Sequence, residues 1–301
     1  MNNFIDIKDI DLNQLKKIFD FSSSIKAARQ DISKGTKDLN QYLLNKIVAL
    51  LFKKPSTRTR FSFEVGISQM GGQTITVSSN EMQLSNLESM SDTASVLSGY
   101  LDMIVLRTEN HNDFIDLIEN SKIPIINGLS DQSHPCQVLS DIFTFEEIIG
   151  PIKGKKVIWL GDLNNVCNSY IQASNKFNFE LIISGPLEIL PNKTEGMQNF
   201  KYEVNPVKAL KNADLIVTDT WYSMNQTKQE KELRQKIMKK YSLTNELVKI
   251  SKNNCLVFHC MPIYRNNEIM SDVADEFFKI FLKQAENRLH VQKGIMKWCF
   301  S

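Results

Sequence analysis

The chain has 301 residues, enough for one large domain or two of ordinary size. It is 42% hydrophobic and 23% charged, with both signs present, which is a globular composition. A net charge of +2 excludes the basic excess of a nucleic-acid or membrane-surface binder, but not a local basic pocket for a small anion.

The stretch from Met1 to Ile7 lacks the basic and apolar regions of a signal peptide. No apolar run approaches the roughly 20 residues a membrane helix needs. The five cysteines, Cys136, Cys167, Cys255, Cys260 and Cys299, form no C-x-x-C pair. That pattern fits free thiols in a reducing compartment and argues against a disulfide framework or a zinc site. The expectation is a soluble cytoplasmic protein.

Apolar residues at helical spacing predict a helix over 11–34. The run 47–52 reads as a buried strand. Pro55 ends it, and Ser56 or Thr57 can cap a helix that starts with Phe61, Ser62 and Phe63 in its first turns. Unpaired backbone N–H groups, hydroxyls and the guanidiniums of Arg58 and Arg60 therefore meet where a strand becomes a helix. Taken alone, the stretch reads equally as a capped helix start and as an anion site. Strands follow at 74–77, 103–106 and 124–127, with helices at 88–100 and 112–121 between them. Arg107 ends one strand, and the polar turn 130–135 follows another. A helix over 137–149 leads to Gly150-Pro151-Ile152-Lys153-Gly154-Lys155, the clearest break in the chain.

The alternation then restarts. Strands are expected at 156–160, 181–184, 215–218 and 255–258, and helices at 165–178, 206–212 and 243–250. The polar run 224–234 reads as a surface loop or short exposed helix, and 286–298 as a closing helix. The fold class is α/β: two doubly wound domains, each a mainly parallel sheet flanked by helices. Residues 1–149, completed by a C-terminal helix over 285–301, form one domain; residues 150–284 form the other.

Such sheets bind ligands at the carboxyl ends of their strands. The polar residues gather at those ends: the stretch after 52, then Arg107, then His134 and Gln137. In the second half come Asp162, Asn164 and Asn165, then Asp219 and Ser223, then His259, Cys260 and Arg265. Singly, each has a structural reading as a turn former, a loop histidine or a small buried thiol. Gly161 stands alone where a dinucleotide fingerprint wants three glycines, and there is no phosphate-binding G-x-x-x-x-G-K-[ST] loop.

Together the motifs resemble the aspartate/ornithine carbamoyltransferase family. Ser56-Thr57-Arg58-Thr59-Arg60 resembles its carbamoyl-phosphate motif, and His134-Pro135-Cys136-Gln137 its H-P-x-Q motif. Asp219-Thr220-Trp221-Tyr222-Ser223-Met224 resembles the D-x-W-x-S-M-G loop of the ornithine branch. His259-Cys260-Met261-Pro262 is similar to H-C-L-P, Gly161-Asp162-Leu163-Asn164-Asn165 to G-D-x-N-N, and Glu286-Asn287-Arg288 to E-N-R. Two positions depart. Asn225 replaces the glycine of S-M-G, and Met261 replaces a leucine; asparagine tolerates positive φ and methionine conserves volume.

The resemblance implies transfer of the carbamoyl group of carbamoyl phosphate to the δ-amine of L-ornithine, giving L-citrulline and phosphate, in a cleft between the domains. It implies Arg107, His134, Asp219 and Cys260 as catalytic residues. Carbamoyl phosphate would meet Ser56, Thr57, Arg58, Thr59, Gln83, Arg107, His134, Gln137, Cys260, Met261 and Arg288. Ornithine would meet Asn165, Asp219, Ser223 and Met224. No metal or organic cofactor is implied, and the family is built from homotrimers, or multiples of them, in which the loop 80–85 reaches a neighbour's site. The alternatives are a carbamoyltransferase for putrescine or an acylated ornithine, or a carbamoyltransferase-like binding protein without catalysis.

Overall fold

The apolar run at 47–52 forms β1 (Ile47–Phe52), buried along all but its first residue. Such a continuous apolar strand belongs inside a parallel sheet covered on both faces. The structure, a computed structural model, describes residues 1–78, 89–189, 200–221 and 228–301. Contacts divide the chain into two units. The first is Met1–Phe143 with Glu286–Ser301, and the second is Thr144–Ala285. Both dividing points fall inside helices, the first of them ahead of the break at Gly150.

In the first unit α1 (Leu12–Ala27) precedes β1, and α2 (Thr57–Gln69) follows it. Then come β2 (Gln73–Ser78), α3 (Met90–Leu97), β3 (Met103–Arg107), α4 (Asp113–Asn120), β4 (Ile125–Leu129) and α5 (Pro135–Ile148). All strand pairings are parallel, in the order β2-β1-β3-β4. Helix α1 is shorter than the predicted 11–34. It stops at Ala27, and Asp31 adopts a positive φ of 59°. Arg29 then binds the carbonyls of Ser33 and Thr36 and the carboxylate of Asp38, which stabilises a non-helical turn.

The second unit holds β5 (Lys156–Leu160), α6 (Asn165–Phe177), β6 (Glu180–Ser184), β7 (Phe200–Tyr202), α7 (Pro206–Leu210) and β8 (Leu215–Thr218). It continues with α8 (Lys228–Met238), α9 (Asn245–Val248), β9 (Leu256–His259) and α10 (Ser271–Glu276). Its sheet is also parallel, in the order β7-β6-β5-β8-β9. The run 224–234, expected as a loop or short exposed helix, enters the eleven-residue α8 at Lys228. The short strand β7 and helix α10 were not expected, because neither carries a periodic apolar pattern long enough to read. The closing helix α11 (Phe278–Cys299) starts well before the predicted residue 286.

Helix α11 packs closely on α1 within the first unit. A Cβ added at Gly294 would stand 2.3 Å from Ser22 Oγ and 2.7 Å from the Ile18 carbonyl, so only glycine admits this approach. Among the described residues no helix is long and apolar enough to cross a membrane.

Each sheet reverses its strand order once. The reversal lies between β1 and β3 in the first unit and between β5 and β8 in the second. A crevice opens at the carboxyl ends of the strands at such points, and ligands bind there.

Candidate active site

At the first reversal the chain leaves β1 and enters α2. Ser56 is the N-cap: its backbone is extended, and its Oγ accepts the N–H of Thr59 at 3.3 Å. The remaining first-turn N–H groups carry the positive end of the helix dipole. A cavity of about 370 Å³ opens beside Ser56 and Thr57, and Arg60, Phe61 and Thr76 also line it. Arg60 itself is not a free phosphate ligand. Its Nε pairs with Glu64 one turn on at 2.9 Å, so the donor expected from sequence is committed along the helix.

The loop after β1 is held to the loop after β3. The backbone N–H of Lys53 donates to the Arg107 carbonyl, and the Lys53 ammonium reaches Asp113 at 2.7 Å. Asp113 also accepts the Thr108 hydroxyl. These bonds tie the loop after β3 to the one that leads from β1 toward α2.

His134 stands at the entry to α5, 5% exposed, and its carbonyl accepts the N–H groups of Gln137 and Val138. Burial, then the charges of Arg288, Arg107 and Arg58, hold its pKa well below the ordinary histidine value. The ring is therefore neutral at physiological pH. Those three charges come from α11, the end of β3 and α2. Arg288 also donates from Nη2 to the buried Thr59 hydroxyl at 2.9 Å. Gln137 is 1% exposed, and its Nε2 donates to Asp141 Oδ1 at 2.8 Å. A carboxylate can only accept, so this contact fixes the amide orientation. The buried Oε1 has no partner and is an acceptor available to a ligand N–H. Asp141 was not anticipated, though its i+4 spacing from Gln137 was visible.

At the second reversal Asn164 caps α6, its Oδ1 accepting the N–H groups of Val166 and Cys167 at 3.0 Å. Its Nδ2 donates to Asp219 Oδ2 at 2.8 Å, across from β5 to β8. Asn165, the expected ligand, is the first residue of α6 and is half-buried. Asp219 is 7% exposed and accepts two further bonds at Oδ1, from the N–H of Thr220 and from the Cys260 thiol, both at 2.8 Å. Asn164, Asp219 and Cys260 thus join the ends of β5, β8 and β9 in one polar chain. Met261 follows with φ 58°, its N–H donating to His259 Nδ1.

Asp219, His259 and Cys260 bring potential metal-ligand atoms within 4.8 Å of one another. His259 is committed elsewhere, because Nδ1 accepts from Met261 and Nε2 contacts the buried Glu268 at 3.1 Å. Among the described residues two donors of this group remain, short of the three or four a zinc ion takes from protein. Gln83, Ser223 and Met224, like Asn225, lie outside the described residues.

Comparison with known proteins decides the family. The carbamoyl-phosphate-binding domain of aspartate/ornithine carbamoyltransferases matches residues 2–147, and the aspartate/ornithine-binding domain matches residues 153–299. The chain belongs to the aspartate/ornithine carbamoyltransferase family. It is 44% identical to the ornithine carbamoyltransferase of Ruegeria pomeroyi over 305 residues, covering 99% of each chain. The solved ornithine carbamoyltransferase of Pyrococcus furiosus superposes with a TM-score of 0.90 at 37% identity, covering 98% of this chain and 96% of that one. The anabolic enzyme of Campylobacter jejuni gives the same TM-score at 29% identity, covering 100% and 99%.

Proposed function

We propose that this chain transfers the carbamoyl group of carbamoyl phosphate to the δ-amine of L-ornithine, forming L-citrulline and phosphate. Full-length similarity to ornithine carbamoyltransferases supports the reaction. The observations that carry the assignment of residues are the Arg288 bond to the buried Thr59 hydroxyl, the open acceptor Gln137 Oε1, and a buried His134 whose pKa is lowered by burial and by the charges of Arg288, Arg107 and Arg58. That set matches an anion bearing a carbonyl and an amide.

Ser56, Thr57, Arg58 and Thr59 hold the phosphate, with Arg107 and Arg288 beside it and Gln83 from a neighbouring subunit. Phosphate is the leaving group, so donors aimed at its growing charge lower the barrier. His134 and Arg107, with Thr59, polarise the carbonyl oxygen; a neutral imidazole does so as a hydrogen-bond donor and surrenders no proton. Gln137 Oε1 accepts from the carbamoyl NH2 and fixes which face of the carbonyl is attacked. The family resemblance adds Cys260 and Met261 to the carbamoyl-phosphate ligands.

The δ-amine resembles lysine, with a pKa of about 10.4, and is mostly protonated at neutral pH. Only the neutral amine attacks. Asp219, already accepting from Asn164 and Cys260, is the carboxylate that orients the nitrogen and takes up its N–H bonds. Asn165 and Met224 bind the α-carboxylate, and Asp219 and Ser223 the α-amino group. Positioning and electrostatics suffice because carbamoyl phosphate is already activated.

The reading extends to a cytoplasmic homotrimer or a multiple of trimers. Its support is the family resemblance, together with Phe61, 58% exposed beside the cavity at Ser56, which offers a neighbour an apolar seat. Citrulline formation from carbamoyl phosphate, assayed with ornithine, putrescine and N-acetylornithine, tests the reaction. Ornithine is expected to be preferred, and a higher kcat/KM for either rival overturns the acceptor. A single-chain mass by sedimentation in the fully active protein overturns the trimer.

A further inference from the structure

Helix α8 begins at Lys228, in the segment that follows Asp219, and is mostly charged; Leu233 on it is 62% exposed. Two side chains one turn apart tie it to the turn after β5. Met238 is fully buried, and its Cε lies 3.7 Å from where a Cβ on Gly161 would stand; the Trp221 indole packs on the same point. Arg234 pairs through Nη2 with Asp162 Oδ2, in the residue next to Gly161. The Asp162 side chain is 12% exposed and that of Arg234 28%.

The pair is made by one bond only. Asp162 Oδ1 and Arg234 Nε are both buried and have no hydrogen-bond partner. Nε and Nη2 lie on one edge of the guanidinium. The two leftover atoms are therefore those of the second bond in a side-on, two-bond pairing, the stronger arrangement for arginine and carboxylate. Asp162 also opens the turn that carries Asn164 and Asn165. The indole N–H of Trp159 fixes that turn by donating to the Asp162 carbonyl at 2.7 Å.

We propose that the Asp162–Arg234 ion pair positions the amine half of the site, locking the turn 161–165 to α8 so that Asn164 and Asn165 meet Asp219 in the binding geometry. Arg234 touches no substrate and acts through Asp162. This inference rests on reading Asn165 and Asp219 as amine ligands. Freeing the turn misplaces those ligands while leaving the phosphate ligands of the first unit untouched, so the effect falls on one substrate.

The test is steady-state kinetics of Arg234→Gln, Asp162→Asn, the double variant and Arg234→Lys in the full chain. Melting temperatures are measured alongside, with Gln235→Ala as the control. Gln235 lies on the same helix and bonds the half-buried Asn267. Arg234→Gln is expected to raise the ornithine KM roughly tenfold with the carbamoyl-phosphate KM within about twofold of the parent. The double variant is expected to be no worse than either single one, since both remove one interaction. Arg234→Lys keeps the charge without the fork and is expected to recover part of the loss. A fall in melting temperature with both KM values unchanged, or raised together, overturns the positioning role. If Arg234→Gln leaves the ornithine KM unchanged while Asn165→Ala raises it, the positioning role alone fails. If neither changes it, the amine-site reading fails too.

Discussion

Arg58 is among the charges that lower the pKa of the buried His134, whereas the guanidinium of its neighbour Arg60 pairs with Glu64. Arg58→Gly is expected to abolish carbamoyl-phosphate binding, and near-normal affinity by calorimetry removes Arg58 from the site. Arg60→Gly is a milder change on the same footing. The Glu64 partner is legible in the sequence as an i+4 pair with Arg60. On the amine side, the Cys260 thiol donates a hydrogen bond to Asp219 and so occupies one acceptor site of that carboxylate. Cys260→Ala is expected to raise the ornithine KM and to shift the pH dependence of kcat/KM. An unchanged profile shows that the thiol has no part in amine protonation. Ser56, Arg107, His134, Gln137, Asp219 and Cys260 were legible because each follows an apolar run at a strand's end. Asp141 and Arg234 carry no such signal, because their work depends on a partner that only the fold supplies.

Strands were the most legible elements, since a buried parallel strand is a short unbroken apolar run. Helix α8 was the least, because it has almost no apolar stripe and is held by Met238, the Arg234 ion pair and the Gln235 bond. Helix α11 carries more than its expected length. Along one face it supplies Arg288 to His134, and further on it brings His290 and Lys293 into the first unit. Lys293 is fully buried and meets Asp38 at 2.6 Å and Gln69 Oε1 at 2.9 Å. His290 is 5% exposed. Burial, then the charges of Lys293, Lys26, Lys34 and Arg29, push its pKa down to about 4. Such a histidine takes up its proton readily only in the unfolded chain. Its contribution is therefore complete above pH 6.5 and drains away as pH falls toward about 4, a loss of about 3 kcal/mol across that window. His290→Gln is expected to flatten the dependence of melting temperature on pH between these limits. An unaltered slope assigns the acid lability to other groups, of which His134 is the first.

Both sheets place polar residues at the carboxyl ends of the two strands that flank the reversal and of the strand next to them, which no single segment could disclose. The alternation of strands and helices revealed two parallel sheets; which strands neighbour one another is a property of the whole chain. The same holds for the first unit's composition. Asn2 donates from its backbone to the Cys299 carbonyl, Phe4 packs edge-on against Trp298, and Val291, Ile295 and Met296 are buried. A chain ending at Ala285 is therefore expected to lose both Arg288 and the wall of this core. Calorimetry should find no heat with carbamoyl phosphate, and intact binding by the shortened chain contradicts that account.

The discontinuity of the first unit also separates the order of synthesis from the order of folding. Residues 144–285 are contiguous, so the second unit has all its parts while the chain is still growing. The first unit is made earlier but lacks residues 286–301 until the second is complete. Domains usually fold from the N-terminus onward as they emerge. Here the leading segment must wait, with the α1 face that receives Gly294 uncovered throughout. Chaperone binding during translation should concentrate on the first half of the chain and end when α11 arrives.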